Sequence, residues 1–294
     1  MKLKKALEQR GILVSDGAWG TMLQQMGLKA GECPEQWNID FPEKVLEIGK
    51  AYVKAGADMV GTNSFGGNRF KLASWSLQDK VTELNQQAAS ISRKAAGDSV
   101  YVIGSIGPTG KMLIMGDTTA EELYDVFAEQ AQALALGGAD IIIVETMSDI
   151  DEATIAVKAA KEVTRLEVIC TMTFSKSDSG EYHTMMGVTP EQMIGELPAA
   201  GADVIGANCG NGMEEMILLT KEIRSFDQHI PIMIQANAGM PVYEDGQTLY
   251  KETPEAMAAM VARLIDAGAS IIGGCCGTTP DHIAAIKKAC SKRV

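Results

Sequence analysis

The sequence predicts an α/β fold, a single (β/α)8 TIM barrel, over its 294 residues. The first observation behind this prediction is the phrase Ala-Gly-Ala-Asp, which recurs with small variations after helical patterns and before short apolar runs. A glycine in that place is typical of a helix C-cap that leads into a buried parallel strand. The phrase occupies residues 55–58, 137–140, 200–203 and 267–270.

The second observation is the number of short apolar runs. Eight of them alternate with helical stretches, which is the pattern expected of eight parallel strands with crossover helices. The predicted strands cover residues 12–14, 59–61, 101–105, 141–145, 168–174, 204–208, 232–236 and 271–274.

The helical stretches carry their own start signals. The helix predicted over residues 118–136 opens with two threonines and then two glutamates, which indicates a capping box, and another helix is predicted over 149–163. A doubly wound sheet is the alternative fold. It more often carries Gly-x-Gly-x-x-Gly after its first strand, whereas residues 16–20 read Asp-Gly-Ala-Trp-Gly. The barrel is therefore the preferred prediction.

Length and composition restrict the class of protein. A chain that is 46% apolar, with no low-complexity tract, predicts one domain over residues 1–294 with a sizeable core. The net charge of -12 disfavours a nucleic-acid partner. The N-terminus enters a helix-like pattern instead of an apolar signal region, and no apolar run approaches the ~18 residues of a membrane span. We expect a cytoplasmic protein that binds neither nucleic acid nor membrane.

Cysteines are the most distinctive side chains. Cys275 and Cys276 follow the eighth apolar run between glycines, and Cys209 follows the sixth. Neighbouring side chains in a strand point to opposite faces, so both adjacent sulfurs can reach one metal ion only if the chain turns, which glycine permits. Three thiolates with an open fourth position suit zinc. Inert core thiols or a strained redox disulfide remain the alternatives, because this spacing matches no local zinc-finger pattern.

Strand ends provide the argument for a site. Barrel enzymes build their sites from residues at the C-terminal ends of the strands. The three candidate thiols all occupy such ends, which favours the zinc site over inert thiols. The other cysteines are expected to be ordinary residues: Cys33, Cys170 and Cys290. Further strand ends carry Asp16-Gly17, Asn63-Ser64, Glu145-Thr146 and Asn237-Ala238-Gly239.

Taken together, these motifs resemble the zinc-dependent homocysteine S-methyltransferases. Within that family the sequence looks most like the homocysteine-binding barrel of the cobalamin-dependent methionine synthases. The resemblance covers nearly the whole chain, in order. The motifs that carry it are Asp-Gly-Ala-Trp-Gly-Thr at 16–21, Thr-Asn-Ser-Phe-Gly-Gly-Asn at 62–68, Gly-Pro-Thr-Gly at 107–110, Glu-Thr at 145–146, Asn-Cys at 208–209, Asn-Ala-Gly at 237–239 and Gly-Cys-Cys-Gly-Thr-Thr-Pro at 274–280.

The resemblance implies a metal site with one zinc per chain. Its ligands would be Cys209, Cys275 and Cys276, with the homocysteine sulfur as the fourth ligand. Asn237 would occupy the open position until the thiol displaces it. The metal would strip the proton from the substrate thiol and leave an electron-rich sulfur that attacks a methyl group.

The resemblance also implies how the amino-acid end of homocysteine is held. Asp16 and Glu145 would hold its ammonium group, and backbone amides around Gly17 and Ala18 would receive its carboxylate. For both acidic residues the alternative is a capping or strand-end carboxylate without a substrate.

Asn63 and Ser64 would line the same mouth, or serve only as polar residues of a turn. The chain departs from the family at Trp19, where methionine is common, and at Ala236, where methionine synthases often have proline. Trp19 could pack, reshape the pocket or meet a cationic methyl donor through its ring face.

The methyl donor stays open at this point. The first expectation is a methylcorrinoid on a separate protein, since the sequence ends soon after the eighth predicted helix. A small donor such as S-methylmethionine, S-adenosylmethionine or a betaine is the second. A demethylase component that moves methyl from a methylated substrate onto a corrinoid is the third, and a non-enzymatic zinc-holding scaffold is the fourth.

Overall fold

The computed structural model describes residues 3–244 and 247–291. Eight parallel strands form one sheet. They are β1 (Leu13–Val14), β2 (Met59–Gly61), β3 (Tyr101–Ile106), β4 (Ile141–Met147), β5 (Glu167–Met172), β6 (Val204–Asn208), β7 (Ile232–Ala236) and β8 (Ile271–Gly274). Their order in the sheet is β1-β8-β7-β6-β5-β4-β3-β2, and a bridge between Ser15 and Met59 joins β1 to β2. The sheet therefore closes on itself, and the predicted (β/α)8 barrel is confirmed.

Helices surround the sheet and also fill two of its loops. The helix α1 (Leu3–Arg10) precedes β1, and one long helix follows each strand. These long helices are α4 (Pro42–Lys54), α6 (Val81–Ala96), α7 (Ala120–Leu136), α8 (Ile150–Thr164), α9 (Pro190–Ala200), α10 (Met213–Phe226), α11 (Pro254–Asp266) and α12 (Pro280–Cys290). The shorter α2 (Trp19–Gln25), α3 (Trp37–Asp40) and α5 (Arg69–Leu72) lie in the loops after β1 and β2. In the described ranges, no helix combines the length and apolar character needed to cross a membrane.

Helix boundaries follow the predicted local signals. Thr119 caps α7, since its hydroxyl accepts from the Glu122 amide at 3.2 Å and the Glu122 carboxylate accepts from the Thr119 amide at 3.0 Å. The predicted capping box is confirmed. The glycines of the repeated phrase have φ between +96° and +111°, the left-handed region that favours glycine. These four are Gly56, Gly138, Gly201 and Gly268.

The fifth predicted strand ends earlier than expected. β5 stops at Met172, and Phe174 instead begins a short strand (Phe174–Lys176) that pairs with Tyr182–Thr184 in a hairpin. Thr173 lies between the two strands, where its amide donates to the Met147 carbonyl of β4 at 2.9 Å and its hydroxyl donates to the Asn208 carbonyl at 3.0 Å. A second hairpin, Val242–Glu244 with Gln247–Leu249, follows β7. Both hairpins therefore lie in loops at the C-terminal end of the barrel.

Apolar side chains fill two layers because each strand is buried on both faces. One layer lies between the strands and the outer helices. The other lies inside the barrel at its N-terminal end, where α1 contributes Leu3 and Ala6. The barrel residues of this inner layer are Leu13, Met59, Tyr101, Ile103, Ile141, Ile143, Ile169, Val204, Met233 and Ile271. Helix α1 thus closes the N-terminal end, and the barrel opens at the opposite end.

Leu3→Ala is expected to lower the free energy of unfolding by about 2–5 kcal/mol, because it leaves a cavity in this inner layer. Leu3 is 1% exposed, and its amide also donates to the Glu167 carboxylate at 2.6 Å. Denaturant unfolding measures the change. Leu218→Ala on α10 is the matched control. Because the Leu218 side chain is 38% exposed, this variant should lose much less of its free energy of unfolding. Equal losses in both variants would contradict the closing role of α1.

Candidate metal centre and substrate pocket

Three thiols meet at the C-terminal end of the barrel. Cys209 follows β6, and Cys275 and Cys276 follow β8, on either side of β7. Their sulfur atoms all lie within 4.8 Å of one another, and the Cys209 and Cys276 sulfurs are 3.8 Å apart. No other group of three or more potential ligands, drawn from cysteine, histidine, aspartate and glutamate, is found among residues 3–244 and 247–291. The predicted convergence of the three thiols is therefore observed.

The backbone places each thiol. Cys209 has φ +61°, a left-handed conformation that costs free energy for a residue with a side chain. Its amide donates to the Gln235 carbonyl at 3.1 Å, and the Cys275 amide donates to the Ala236 carbonyl at 2.7 Å. Gly277, with φ +80°, then turns the chain. As the sequence predicted, the chain leaves β8 in a turn that lets both neighbouring sulfurs face one point.

The spacing of the sulfurs fits a tetrahedral metal ion. Zinc–sulfur bonds of about 2.3 Å place neighbouring tetrahedral ligands about 3.8 Å apart. The Cys209–Cys276 separation has this value. Soft thiolate ligands favour zinc over hard cations such as magnesium or calcium. The donor set and its geometry therefore suit zinc.

A cavity of about 290 Å³ opens beside the thiols. Its wall combines apolar side chains such as Ile103 and Ile143 with the carboxyl groups of Asp16, Glu35 and Glu145. Among the described residues, no lysine, arginine or histidine lines it. The pocket is therefore acidic, and no basic side chain among those described balances its carboxyl groups.

Asp16 lies in this wall with one carboxylate oxygen fully engaged. Its Oδ2 accepts from the Gly61 amide at 2.6 Å and from the Trp19 indole Nε1 at 2.8 Å. Burial raises the pKa of Asp16 to about 6, against the lowering effect of these hydrogen bonds. The unexpected Trp19 therefore positions Asp16, a role that the sequence did not predict.

Glu145 lies in the wall at the end of β4. Its carboxylate accepts from the Ser105 hydroxyl. Burial raises its pKa to about 7, with smaller contributions from the nearby charges of Asp16 and Cys209. The next residue, Thr146, has φ +62° and lies where the register of β4 shifts. Glu145 and Asp16 are thus brought to one pocket as predicted.

The glycine and alanine after Asp16 also line the pocket. The Ala18 amide donates to the Thr278 hydroxyl at 3.1 Å, so it already has a partner. A side chain at Gly17 would lie 2.7 Å from that hydroxyl and 3.1 Å from the Tyr52 ring. Close packing on the last barrel loop is therefore why this position holds glycine.

Asn63 and Ser64 line the pocket, but their side chains bind the protein itself. The Asn63 amide donates to the Pro34 carbonyl at 2.7 Å and to the Asn38 side chain at 3.0 Å. The Ser64 hydroxyl donates to the Ser105 carbonyl at 2.7 Å. These contacts tie the loop after β2 to the loop after β1 and to β3, and a contact of either residue with substrate stays a prediction.

Asn237 does not line the cavity. It lies in the loop after β7, its amide donates to the Asn211 carbonyl at 2.9 Å, and its buried side-chain oxygen has no partner. The next residue, Ala238, donates to the Cys276 carbonyl at 3.0 Å. Occupation of the open metal position by Asn237 therefore stays a prediction.

Glu35 and Gln235 are among the pocket residues that the sequence argument missed. Glu35 is 3% exposed, and its carboxylate accepts from the Gly66 amide at 2.6 Å. It lies in a loop with no regular pattern, so no sequence signal pointed to it. Gln235 is the polar member of the apolar run Ile-Met-Ile-Gln-Ala of β7, and that interruption was a usable signal.

Replacing Cys209, Cys275 or Cys276 with alanine is expected to reduce the zinc content sharply from one ion per chain, because two thiols no longer complete the ligand set. Metal analysis of purified protein measures this. The other cysteines serve as controls, since Cys33, Cys170 and Cys290 lie buried outside the cluster. Equal zinc in all six variants would exclude this site.

Glu145→Gln is expected to flatten the pH dependence of the metal-free protein's stability. The folded pKa of Glu145 lies above its ordinary value, so its stabilising contribution is complete below about pH 4.5 and is lost as the pH rises through about 7. At high pH the free energy of unfolding of the variant should exceed that of the wild type by up to about 3 kcal/mol. Urea unfolding at a series of pH values measures this, with the exposed Glu83→Gln as control. Parallel profiles for wild type and Glu145→Gln would contradict the buried state of this carboxyl.

Comparisons with known proteins agree with this geometry. The family model for homocysteine S-methyltransferase matches residues 13–290. The methionine synthase of Mycobacterium leprae is 32% identical over 99% of this chain, and that of Mycobacterium tuberculosis is 33% identical over 96%. The chain spans 25% of the length of each of these relatives.

Solved structures show the same fold. The metallated form of the homocysteine methyltransferase MmuM from Escherichia coli superposes with a TM-score of 0.81 at 24% identity, over 97% of this chain and 99% of that chain. The oxidized form of MmuM superposes with a TM-score of 0.80. The match of the family model to almost the whole barrel, including all three thiols, leads to one conclusion. The chain belongs to the homocysteine S-methyltransferase family.

Proposed function

We propose that this protein activates homocysteine as a zinc-bound thiolate and methylates it to methionine, with a methylcorrinoid on a separate protein as the donor. The observation that carries the proposal is the cluster of three thiols beside an acidic pocket that no basic side chain among the described residues lines. The zinc would be held by Cys209, Cys275 and Cys276, one ion per chain. When bound, zinc supplies a thiolate at neutral pH by lowering the pKa of the incoming thiol.

The amino-acid end of the substrate would be held by the chain's own polar groups. Asp16 and Glu145 accept hydrogen bonds from the ammonium, and burial strengthens these contacts because water does not compete. Since the pKa of Glu145 is raised to about 7, an arriving ammonium displaces its proton to solvent. Backbone amides around Gly17 and Ala18 would receive the carboxylate, and the Ala18 amide would exchange its bond to the Thr278 hydroxyl for this contact.

The surroundings of the pocket support a donor that arrives on a protein. Four loops at the C-terminal end of the barrel carry large exposed apolar side chains, which we call the apolar rim. Exposed apolar surface of this kind is typical of protein interaction sites. The rim consists of Phe65, Trp75, Met112, Ile114, Met115, Met185, Met240, Val242, Tyr243 and Leu249.

Two further observations bear on the setting of the reaction. The two mycobacterial methionine synthases are about four times as long as this chain, which leaves room in them for modules beyond a homocysteine barrel. All six cysteines are free thiols here, as expected in a reducing compartment. We therefore assign the reaction to the cytoplasm.

The donor is tested by supplying zinc-loaded protein and homocysteine with methylcobalamin, S-methylmethionine, S-adenosylmethionine or glycine betaine in separate reactions. Methionine formation is expected with methylcobalamin, because a corrinoid-bound methyl can approach an open barrel mouth. Turnover with a small donor, and none with methylcobalamin or a methylated corrinoid protein, would instead establish a small-donor enzyme.

The protein-borne donor is tested on the apolar rim. Ile114→Asp is expected to raise the KM for a methylated corrinoid protein while leaving turnover with free methylcobalamin unchanged, because Ile114 is 80% exposed on the rim. Val163→Asp on α8 is the matched control, since it adds the same charge away from the mouth. Equal effects of both variants would contradict docking at the rim.

A further inference from the structure

One polar side chain of the pocket wall has no partner. Gln235 is 7% exposed, lines the cavity and has a buried side-chain oxygen that accepts no hydrogen bond. Burying an amide oxygen without a donor costs free energy, so almost all such groups in folded proteins are paired. An unpaired oxygen inside a substrate pocket therefore indicates a donor that belongs to the ligand.

The neighbours of Gln235 connect it to one of the thiol-bearing residues and to the end of β1. Its backbone carbonyl accepts from the Cys209 amide at 3.1 Å. On the other side it pairs in register with Gly273 of β8. A side-chain carbon at Gly273 would lie 3.2 Å from Gln235 Cγ and 2.9 Å from the backbone carbonyl of Asp16. The absence of a side chain at Gly273 thus leaves room for the Gln235 side chain in the cavity wall, which it shares with Asp16 and Glu145.

Counting acceptors shows what is missing for an ammonium group. An ammonium on a tetrahedral carbon has three N–H donors. On Asp16, Oδ2 already accepts two hydrogen bonds, so Oδ1 is the less occupied oxygen. On Glu145, Oε1 accepts from Ser105, which leaves the other oxygen. Two carboxylate oxygens serve two hydrogens, and the third needs another acceptor.

A neutral acceptor fits this third place better than another carboxylate. The pocket wall already carries Asp16, Glu35 and Glu145, with no basic side chain from residues 3–244 or 247–291. A further charge would be repelled by these groups and by the thiolates. An amide oxygen accepts a hydrogen bond without adding charge.

We propose that Gln235 is a substrate-binding residue that accepts one N–H of the homocysteine ammonium through Oε1, beside Asp16 and Glu145. This inference rests on the proposed function, because it assigns a contact to the same substrate. It also gives the pocket a means of selection. A site that hydrogen-bonds an amino group discriminates strongly against thiols that lack one, because its polar groups are then left unpaired.

The test is Gln235→Met, which keeps the size of the side chain and removes the acceptor. Calorimetry on zinc-loaded protein measures the Kd of homocysteine, of 3-aminopropane-1-thiol, which lacks the carboxylate, and of 4-sulfanylbutanoate, which lacks the ammonium. The two ammonium-bearing thiols are expected to bind about tenfold more weakly to the variant, about 1.4 kcal/mol. The affinity for 4-sulfanylbutanoate is expected to change by less than about twofold.

Two further variants guard against indirect effects. Gln36→Met is the matched control, because its side-chain oxygen is also buried without a partner but lies outside the cavity lining. It should leave all three affinities unchanged. Gln235→Glu keeps an acceptor in place, because a carboxyl buried among other acids favours its neutral form, whose carbonyl oxygen still accepts. It should retain affinity for both ammonium-bearing thiols. The Tm of ligand-free Gln235→Met should be unchanged or higher, since an unpaired buried oxygen has been removed.

The outcomes separate this inference from the proposed function. Wild-type protein that fails to bind homocysteine would overturn the proposed function itself. Normal binding by wild type, with equal losses for all three thiols in Gln235→Met or with no loss at all, would overturn only the role of Gln235. Loss confined to the two ammonium-bearing thiols supports it.

Discussion

The crowding of acidic groups without a basic partner is the constraint on which this site depends. Three thiols and the carboxyls of Asp16 and Glu145 share one cavity, and no basic side chain of the described chain lines it. Desolvation raises the pKa of both carboxyls, so the ligand-free pocket is held partly protonated. Bound cations would relieve this state. A metal ion at the thiols and, in the function proposed above, an ammonium at the carboxyls are two such cations.

Hydrogen bonds between neighbouring strands hold the residues next to Glu145 and Cys209 in place. Asn208 donates to the Thr146 hydroxyl at 2.8 Å and accepts from the Thr146 amide at 2.9 Å, and thereby joins β6 to the irregular end of β4 beside Glu145. Thr146 and Cys209 both adopt left-handed backbone conformations. Such conformations persist only where surrounding contacts enforce them, and they occur often at functional sites. The contacts between β4 and β6 thus help to position the Cys209 thiol and the Glu145 carboxyl.

The pocket and the apolar rim come mostly from different segments of the same end of the barrel. The pocket is lined by strand ends and by the loops after β1, β2, β6 and β8, whereas the rim lies on the loops after β2, β3, β5 and β7. Phe65 belongs to both sets, because it lines the pocket and is still 42% exposed. Most rim side chains can therefore be substituted without touching the groups that line the pocket.

The sequence by itself determined the order of strands and helices, since capping residues, glycine turns and apolar runs act over a few neighbouring residues. It also located the three thiols and the two carboxyls, because parallel strands bring their C-terminal ends to one face. Only the tertiary structure decided which side chains meet there. The Trp19 bond to Asp16, the unpaired Gln235 oxygen, the buried Glu35 and the place of Asn237 outside the cavity all depend on contacts between distant segments of the closed barrel. Local sequence patterns do not reveal such contacts, because the contacts form only when distant segments pack together in three dimensions.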